Sequence, residues 1–544
     1  MIPRVRTSPK QRRCLLAAVV PAALALAGCG GSHAATPAPP VRHTPLVSIF
    51  EAQAQLFRDP PGTLDLLRRL GANVVRIEVP WASLAPDATS RTPPAHFRAG
   101  DPASYPAPGW APYDAIVRAA QSRGIGVYLT LGPPPPLWAG GLGAPESSGR
   151  LAADWRPSTA DFRAFVRAVG TRYSGSYTPP GQATPLPRVS FWSIWNEPNY
   201  GQDLAPQSID HSAISVSPGL YRGLLDAAWE ALQRTGHGAD TILIGEIAPR
   251  GTVGGDLPGD FGGMVPLRFV RALYCVGSAW RPLRGAAATV RGCPPDAAGS
   301  AEFARLHPAL FDATGFAVHP YPHGLPPTVA TTDVQGSADY ADLPQLPKLE
   351  QLLDRAAKLY GAPKRLPLYS TEFGYKTTPP IPGGVGPTTA AAYLNWAEYV
   401  SWIDPRIRSY DQYLLVDPQP NAKSTFVTGL YYATGAPKPS FFAYRMPIFL
   451  PTSSAPAGHE LDVWGCVRPA RFVRLQTGRA QVVQIQFQAG GDRSFATVRR
   501  VTLTDPYGYF DVPVRFRGTG LVRLRWSYPD GTTIFSRSAT VTIR

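Results

Sequence analysis

The sequence predicts an α/β chain: a (β/α)8 barrel of the TIM type with enlarged loops, followed by an all-β sandwich. Three observations carry this expectation. From residue 46 to about 450, short β-branched apolar runs alternate with longer segments of helical periodicity, the pattern of parallel βαβ units. Eight such runs can be counted, the number that closes a barrel with its site where loops leave the carboxyl ends of the strands. After about residue 455 the helical stretches give way to alternating strands separated by turn residues.

The eight runs are LVSIF (46–50), NVVRIEV (73–79), IGVYLTL (125–131), VSFWSIW (189–195), TILIG (241–245), TGFAV (314–318), LPLYS (366–370) and DQYLLV (411–416). Between them lie helical segments such as TLDLLRRLG, YDAIVRAAQSRG, FRAFVRAVGTRY, YRGLLDAAWEALQRTG, KLEQLLDRAAKLYG and AAAYLNWAEYVSWI, several closed by glycine. Some 400 residues for a barrel that typically takes about 250 requires long loops. Residues 80–112, 132–158, 199–216, 278–312 and 373–390 supply them, and long ordered loops on that face shape a cleft. In the C-terminal part RFVRLQ, AQVVQIQFQ, TVRRVTLT, YFDVPVRF, GLVRLRWSY and TIFSRSATVTI are expected as strands. Turns at Gly490-Gly491-Asp492 and Pro529-Asp530-Gly531 separate them. The expected division is a catalytic barrel over 46–452 and an immunoglobulin-like sandwich over 455–544, in line with a 544-residue chain exceeding one domain.

Residues 1–28 carry Arg4, Arg6, Lys10, Arg12 and Arg13 ahead of the apolar run CLLAAVVPAALALAG, the pattern of a secretory signal. Leu26-Ala27-Gly28-Cys29 resembles a bacterial lipobox, which makes Cys29 the expected lipidated residue and 29–45 a flexible tether. The expected location is the outer face of a bacterial membrane; a free secreted protein with an ordinary cleavage site is the alternative. Subtracting those five charges from the formal +15 leaves about +10. The arginines are scattered rather than clustered, so acidic polysaccharide or an anionic surface is the expected attraction, not nucleic acid. Cys275 and Cys293 flank a loop and suit a disulfide in an oxidising compartment, while Cys466 has no evident partner. There is no C-x-x-C or H-E-x-x-H, so neither a metal nor a cofactor is expected in the site. A monomer is the expected state.

The chemistry is carried by two strand ends. FWSIWNEPNY places Asn196 and Glu197 after the fourth run, and Thr371-Glu372-Phe373-Gly374 follows the seventh. Two carboxylates facing one another across a barrel mouth suit glycosidic bond cleavage. On these residues the barrel resembles the clan A glycoside hydrolases, in particular proteins similar to families 5 and 39. The resemblance implies that Glu372 is the nucleophile and Glu197 the acid/base, with Asn196 bonding the sugar 2-hydroxyl. It also places Arg76, a charge inside a strand that needs a partner if buried, near Glu372; a rim salt bridge to Glu78 is the alternative. In FAVHPYPHG, His319 and Tyr321 match the clan's His-x-Tyr, with Tyr321 bonding the nucleophile and His319 meeting substrate.

Trp81, Trp138, Trp195 and Tyr375 stand at or beyond strand ends, and two of the four are expected to stack on sugar, Trp81 and Trp138 being the chosen pair. Many relatives carry a tryptophan near the end of the eighth strand, where this chain has Gln412 and Tyr413. Glu246, ending the fifth run, is expected to contact substrate or anchor a loop. The function these features imply is that of a retaining glycosidase acting on an oligo- or polysaccharide, by hydrolysis or transglycosylation. The alternative is a carbohydrate-binding or envelope-organising lipoprotein on an inactive barrel. A spacer or barrel-stabilising role is expected for the sandwich.

Overall fold

The computed structural model describes residues 45–544 except 210, 211, 213, 252–257, 333–335, 363 and 420–425. The leader, the tether and Cys29 lie outside the described residues. Eight parallel strands form the barrel: β1 (Val47–Glu51), β2 (Val74–Pro80), β3 (Gly126–Gly132), β4 (Phe191–Ile194), β5 (Thr241–Ile247), β6 (Gly315–Val318), β7 (Leu368–Ser370) and β8 (Ser409–Gln412). Their order around the sheet is β7-β6-β5-β4-β3-β2-β1-β8. A parallel bridge between Leu368 and Ile407 brings the two ends together. The eighth strand begins two residues before the expected run and stops at Gln412, because LLV turns away through Leu414 at φ 73°.

The period of two along each strand sorts side chains between helices and lumen. In β2, Val75, Ile77 and Val79 join the main core under the helices, while Val74 joins Ile49, Tyr128, Leu243 and Ala317 in a separate cluster inside the barrel. One step further along β2, on the face of Val74, stands Arg76. The lumen therefore has an apolar floor and a polar upper layer, and the position of Arg76 follows from strand alternation.

The C-terminal part has two sheets around one apolar cluster that includes Val463, Ile485, Phe487, Val522 and Leu524. One sheet contains β9 (Ile448–Phe449), β11 (Glu460–Cys466) and β14 (Tyr509–Arg515). The other contains β10 (Ser454–Ala455), β12 (Gln481–Ala489), β13 (Ala496–Leu503), β15 (Gly520–Ser527), β16 (Thr533–Phe535) and β17 (Ala539–Ile543). RFVRLQ is not a strand but part of the helix Ala470–Thr477, whose Phe472 and Val473 are buried while Leu475 is exposed. Strict alternation fails there, since the two buried residues are adjacent. TIFSRSATVTI divides into β16 and β17, and β11 was not among the expected strands.

This module is fastened to the barrel by buried charge. Arg468 pairs with Glu398 of the helix Pro387–Ile403, and the Tyr509 hydroxyl donates to Glu398 Oε1 at 2.7 Å. At a second point the Tyr528 hydroxyl donates to the Arg69 carbonyl at 2.6 Å. Removing one member strands a buried charge, so Arg468→Met should lower stability by about 3–5 kcal/mol. Adding Glu398→Leu should recover part of that loss in urea unfolding; single-variant stability equal to wild type would show that the pair does not fasten the module. Cys275 and Cys293 are disulfide-bonded, and Cys466 is a buried thiol. No helix among the described residues is long and apolar enough to cross a membrane.

Candidate active site

The residue after β4 sets the geometry. Trp195 and Glu197 both adopt positive φ, 70° and 36°, which bulky side chains do only when their surroundings hold them. Trp195 is held by its amide to the Leu131 carbonyl at 2.7 Å and its indole N–H to the Asp203 carbonyl at 2.9 Å. The Glu197 amide donates to the carbonyl of Glu246, itself at φ 46°. The paired twists turn Glu197 into the barrel mouth, where its side chain is 16% exposed.

From β7 comes Glu372, 9% exposed. Both of its oxygens are engaged: Arg76 Nη1 donates to Oε1 at 2.8 Å and the Tyr321 hydroxyl to Oε2 at 3.1 Å. Carboxylate oxygens of Glu197 and Glu372 come within 4.8 Å of one another, and a ring nitrogen of His319 lies within the same distance of both.

Arg76 is the hub of this layer. Wholly buried, it donates also to Glu51 Oε1 at 2.8 Å, Asn196 Oδ1 at 2.9 Å, Glu246 Oε2 at 3.3 Å and Thr130 Oγ1 at 3.0 Å. Glu78 sits 3.7 Å away and is 40% exposed, so the rim pair exists alongside the buried ones. Glu246 is wholly buried and takes bonds from His319 Nε2 and Thr371 Oγ1, each at 2.8 Å, and from the Tyr128 hydroxyl. Burial alone raises the pKa of Glu246, but the Arg76 charge and the His319 bond outweigh it and hold the carboxyl at about 2. Glu51 and Asp411 go the other way. Burial pushes both well above the usual carboxylate range, against the pull of Arg76. One guanidinium cannot offset the burial of every acid around it.

His319 is buried between Glu197, 2.8 Å from Nδ1, and Glu246. Burial alone lowers its pKa, yet the Glu372 charge and the bonds to Glu197 and Glu246 raise it well above the ordinary value. Both of its ring nitrogens face carboxylate oxygens. Glu197, His319 and Glu372 bring ligand atoms within 4.8 Å of one another, with both ring nitrogens of His319 already engaged by the carboxylates of Glu197 and Glu246.

Several expected sugar contacts need correction. Trp81 is wholly buried, stacked on Phe165 at 5.5 Å with Trp138 edge-on at 5.8 Å. Trp138 is buried in the same cluster, its indole N–H donating to the Pro86 carbonyl. Trp81 packs on Phe162 and Phe165 of the helix Thr159–Arg172, and Trp138 on Trp81 and Phe97, so their rings serve the core. Trp195 and Tyr375 are buried too. Arg76 and His319 are also wholly buried, and their nitrogens are engaged by Glu51, Glu246, Glu372, Asn196 and Thr130 in the first case and by Glu197 and Glu246 in the second. Glu246 is wholly buried rather than at the mouth, and of the two expected roles the structure favours the anchor: its carbonyl accepts the Glu197 amide and its carboxylate bonds Thr371, Arg76 and His319.

Asn196 and Tyr321 remain at the mouth. Half-buried Tyr413 joins them, edge-on to Tyr321 at 6.1 Å and to Phe426 at 5.7 Å. It stands where the expected tryptophan was missing. A cleft of about 720 Å³ opens there, lined among others by Glu51, Gln53, Glu78, Tyr413 and Leu414. Glu51 escaped the sequence reading although it ends the first strand, in register with Arg76.

No protein-family model and no curated protein matches the chain. Among solved structures it is similar to a family 39 glycoside hydrolase from Bacteroides cellulosilyticus WH2, at 16% identity over 87% of this chain and 79% of that one, TM-score 0.41. It is similar also to a glucosidase from Croceicoccus marinus, at 12% identity over 92% and 96%, TM-score 0.45. A third is a GH30 endoxylanase from Clostridium papyrosolvens C71, at 10% identity over 88% and 95%, TM-score 0.44.

Proposed function

We propose that this protein is a retaining glycoside hydrolase acting on an oligo- or polysaccharide. The observation that supports it is the approach of Glu197 and Glu372 to within 4.8 Å at the carboxyl ends of β4 and β7. Retaining enzymes hold their carboxyl groups about 5–5.5 Å apart, whereas inverting ones leave about 6.5–9.5 Å for a water. Glu372, gripped through both oxygens by Arg76 and Tyr321, is the nucleophile. One of its oxygens bonds to the anomeric carbon as the glycosidic C–O bond breaks.

Glu197 gives its proton to the departing oxygen. It then takes a proton from the water that cleaves the glycosyl ester and frees Glu372. His319, in contact with Glu197 and only 3.5 Å from Glu372 Oε2, senses both charges and holds the acid/base in line. Two carboxylates supply both proton and nucleophile, so no cofactor enters these steps. Attachment to the outer face of a bacterial membrane through Cys29 belongs to the same proposal and rests on residues 1–29 alone.

The test is the stereochemistry of the first product. In proton NMR of an aryl glycoside digest, the initial anomer should keep the substrate's configuration; an inverted anomer would overturn the double displacement. Glu197→Gln should slow poor leaving groups by about 10²–10⁴-fold and activated aryl groups far less in the glycosylation step. Equal slowing of both would remove Glu197 from the acid role.

A further inference from the structure

Next to the nucleophile lies a second, smaller recess of about 140 Å³, lined by Tyr321, His323, Gly374, Lys376, Gly384 and Phe426 among others. Tyr321 is common to both places, since its hydroxyl bonds Glu372 and its ring packs on Phe426 at 5.6 Å. The Lys376 ammonium stands 4.1 Å from the centre of the Phe426 ring. Among the described residues it pairs with no carboxylate, and burial lowers its pKa with no acid to offset the effect. A partly buried cation without a counter-ion costs stability. Three other buried cations among the described residues have carboxylate partners, Arg76 with Glu51, Glu246 and Glu372, Lys438 with Asp417 and Arg468 with Glu398, and buried Arg222 gives its donors to the carbonyls of Leu273 and Gly292.

A further feature suits an anionic ligand. His323 is held at about 4 by burial and by the charges of Arg250 and Lys376, so the recess is positive while the imidazole stays neutral and able to donate one N–H. Glycine also lets the loops around the recess pack tightly on one another. A Cβ on Gly374 would stand 2.8 Å from Thr428 Cβ, and one on Gly384 would stand 2.5 Å from the Lys376 carbonyl oxygen.

Resting on the glycoside hydrolase reading, we propose that this recess is a subsite for an anionic substituent of the glycan, a uronate carboxylate or a sulfate ester, held by Lys376 beside the nucleophile. The charge asymmetry of the mouth orients the chain. The 720 Å³ cleft on the β1–β2 side is lined by Glu51, Glu78 and Asp417 as well as Arg58, so its charge is mixed and acid-rich, while Lys376 and His323, from the loops after β7 and β6, form a recess lined by no carboxylate among the described residues. The positive balance, about +10 once the five charges of residues 1–28 are subtracted from +15, assists the approach of an acidic polysaccharide.

The experiment compares, by calorimetry on the full folded protein, a uronate-containing oligosaccharide, its carboxyl-reduced counterpart, and a sulfated and an unsulfated neutral oligosaccharide of one backbone. One anionic member should bind about tenfold or more tighter than its uncharged partner, and which pair shows it identifies carboxylate or sulfate. Lys376→Met should bring that ratio to about one and Lys376→Arg should retain part of it, with circular dichroism confirming the fold. Equal binding within both pairs, binding of none, or a preference that survives Lys376→Met would overturn the subsite. Sugar release that requires Glu372 but shows no charge preference would overturn the subsite and leave the hydrolase. Lys376-dependent binding without Glu372-dependent release would do the reverse.

Discussion

Glu372→Gln is expected to lower turnover by about a thousandfold or more while the protein stays folded. The amide occupies the volume of the carboxylate and its oxygen can still accept from Tyr321 or Arg76, so the packing that holds the site is kept. What disappears is the oxygen able to form a glycosyl ester. Arg76 retains Glu246 as a counter-ion and Glu51 as a hydrogen-bond partner, which is why thermal unfolding should move little. The measurement is turnover of an activated aryl glycoside beside a melting curve. Full activity with an intact fold would remove Glu372 from the chemistry and return the barrel to a binding role.

The second large effect is on stability. Arg76→Met takes the one guanidinium from among Glu51, Glu246 and Glu372, and is expected to cost about 3–5 kcal/mol together with activity. Its pH dependence has a defined sign. Glu246 is held at about 2 in the folded chain against about 4.3 when unfolded. The stability it contributes is therefore complete above the unfolded value and is lost as pH falls toward 2. Without Arg76 the burial of Glu246 is no longer outweighed, its carboxyl rises, and that contribution vanishes at neutral pH. The gap between wild type and variant, measured by urea unfolding, should narrow from pH 7 to pH 3. A variant as stable as wild type at pH 7 would show that the network does not hold the barrel mouth.

The module after the barrel illustrates how far periodicity reaches. Its strands β12, β13, β14 and β15 were legible because alternating burial is a local signal. RFVRLQ misled the same rule, since a short apolar pair between arginines fits a strand or an amphipathic helix. Only packing of Phe472 and Val473 chose the helix. The aromatic residues failed for a related reason. A tryptophan beyond a strand end can turn to cleft or core, and which it does depends on the helix behind it; Phe165 of that helix claimed Trp81.

By itself the sequence determined the eight strands, their alternation with helices, and the strand-end positions of Glu197 and Glu372, because periodicity and strand termination are properties of neighbouring residues. The tertiary structure alone decided which charges meet. Arg76 reaches Glu51 across 25 residues of chain and Glu372 across 296, and only the curvature of a closing barrel brings such positions into one lumen layer. That closure made Glu246 a buried counter-ion, sealed His319 between two acids, and left Lys376 beside Tyr321 without a carboxylate partner among the described residues, because the protonation and exposure of each group depend on neighbours that the linear order does not name.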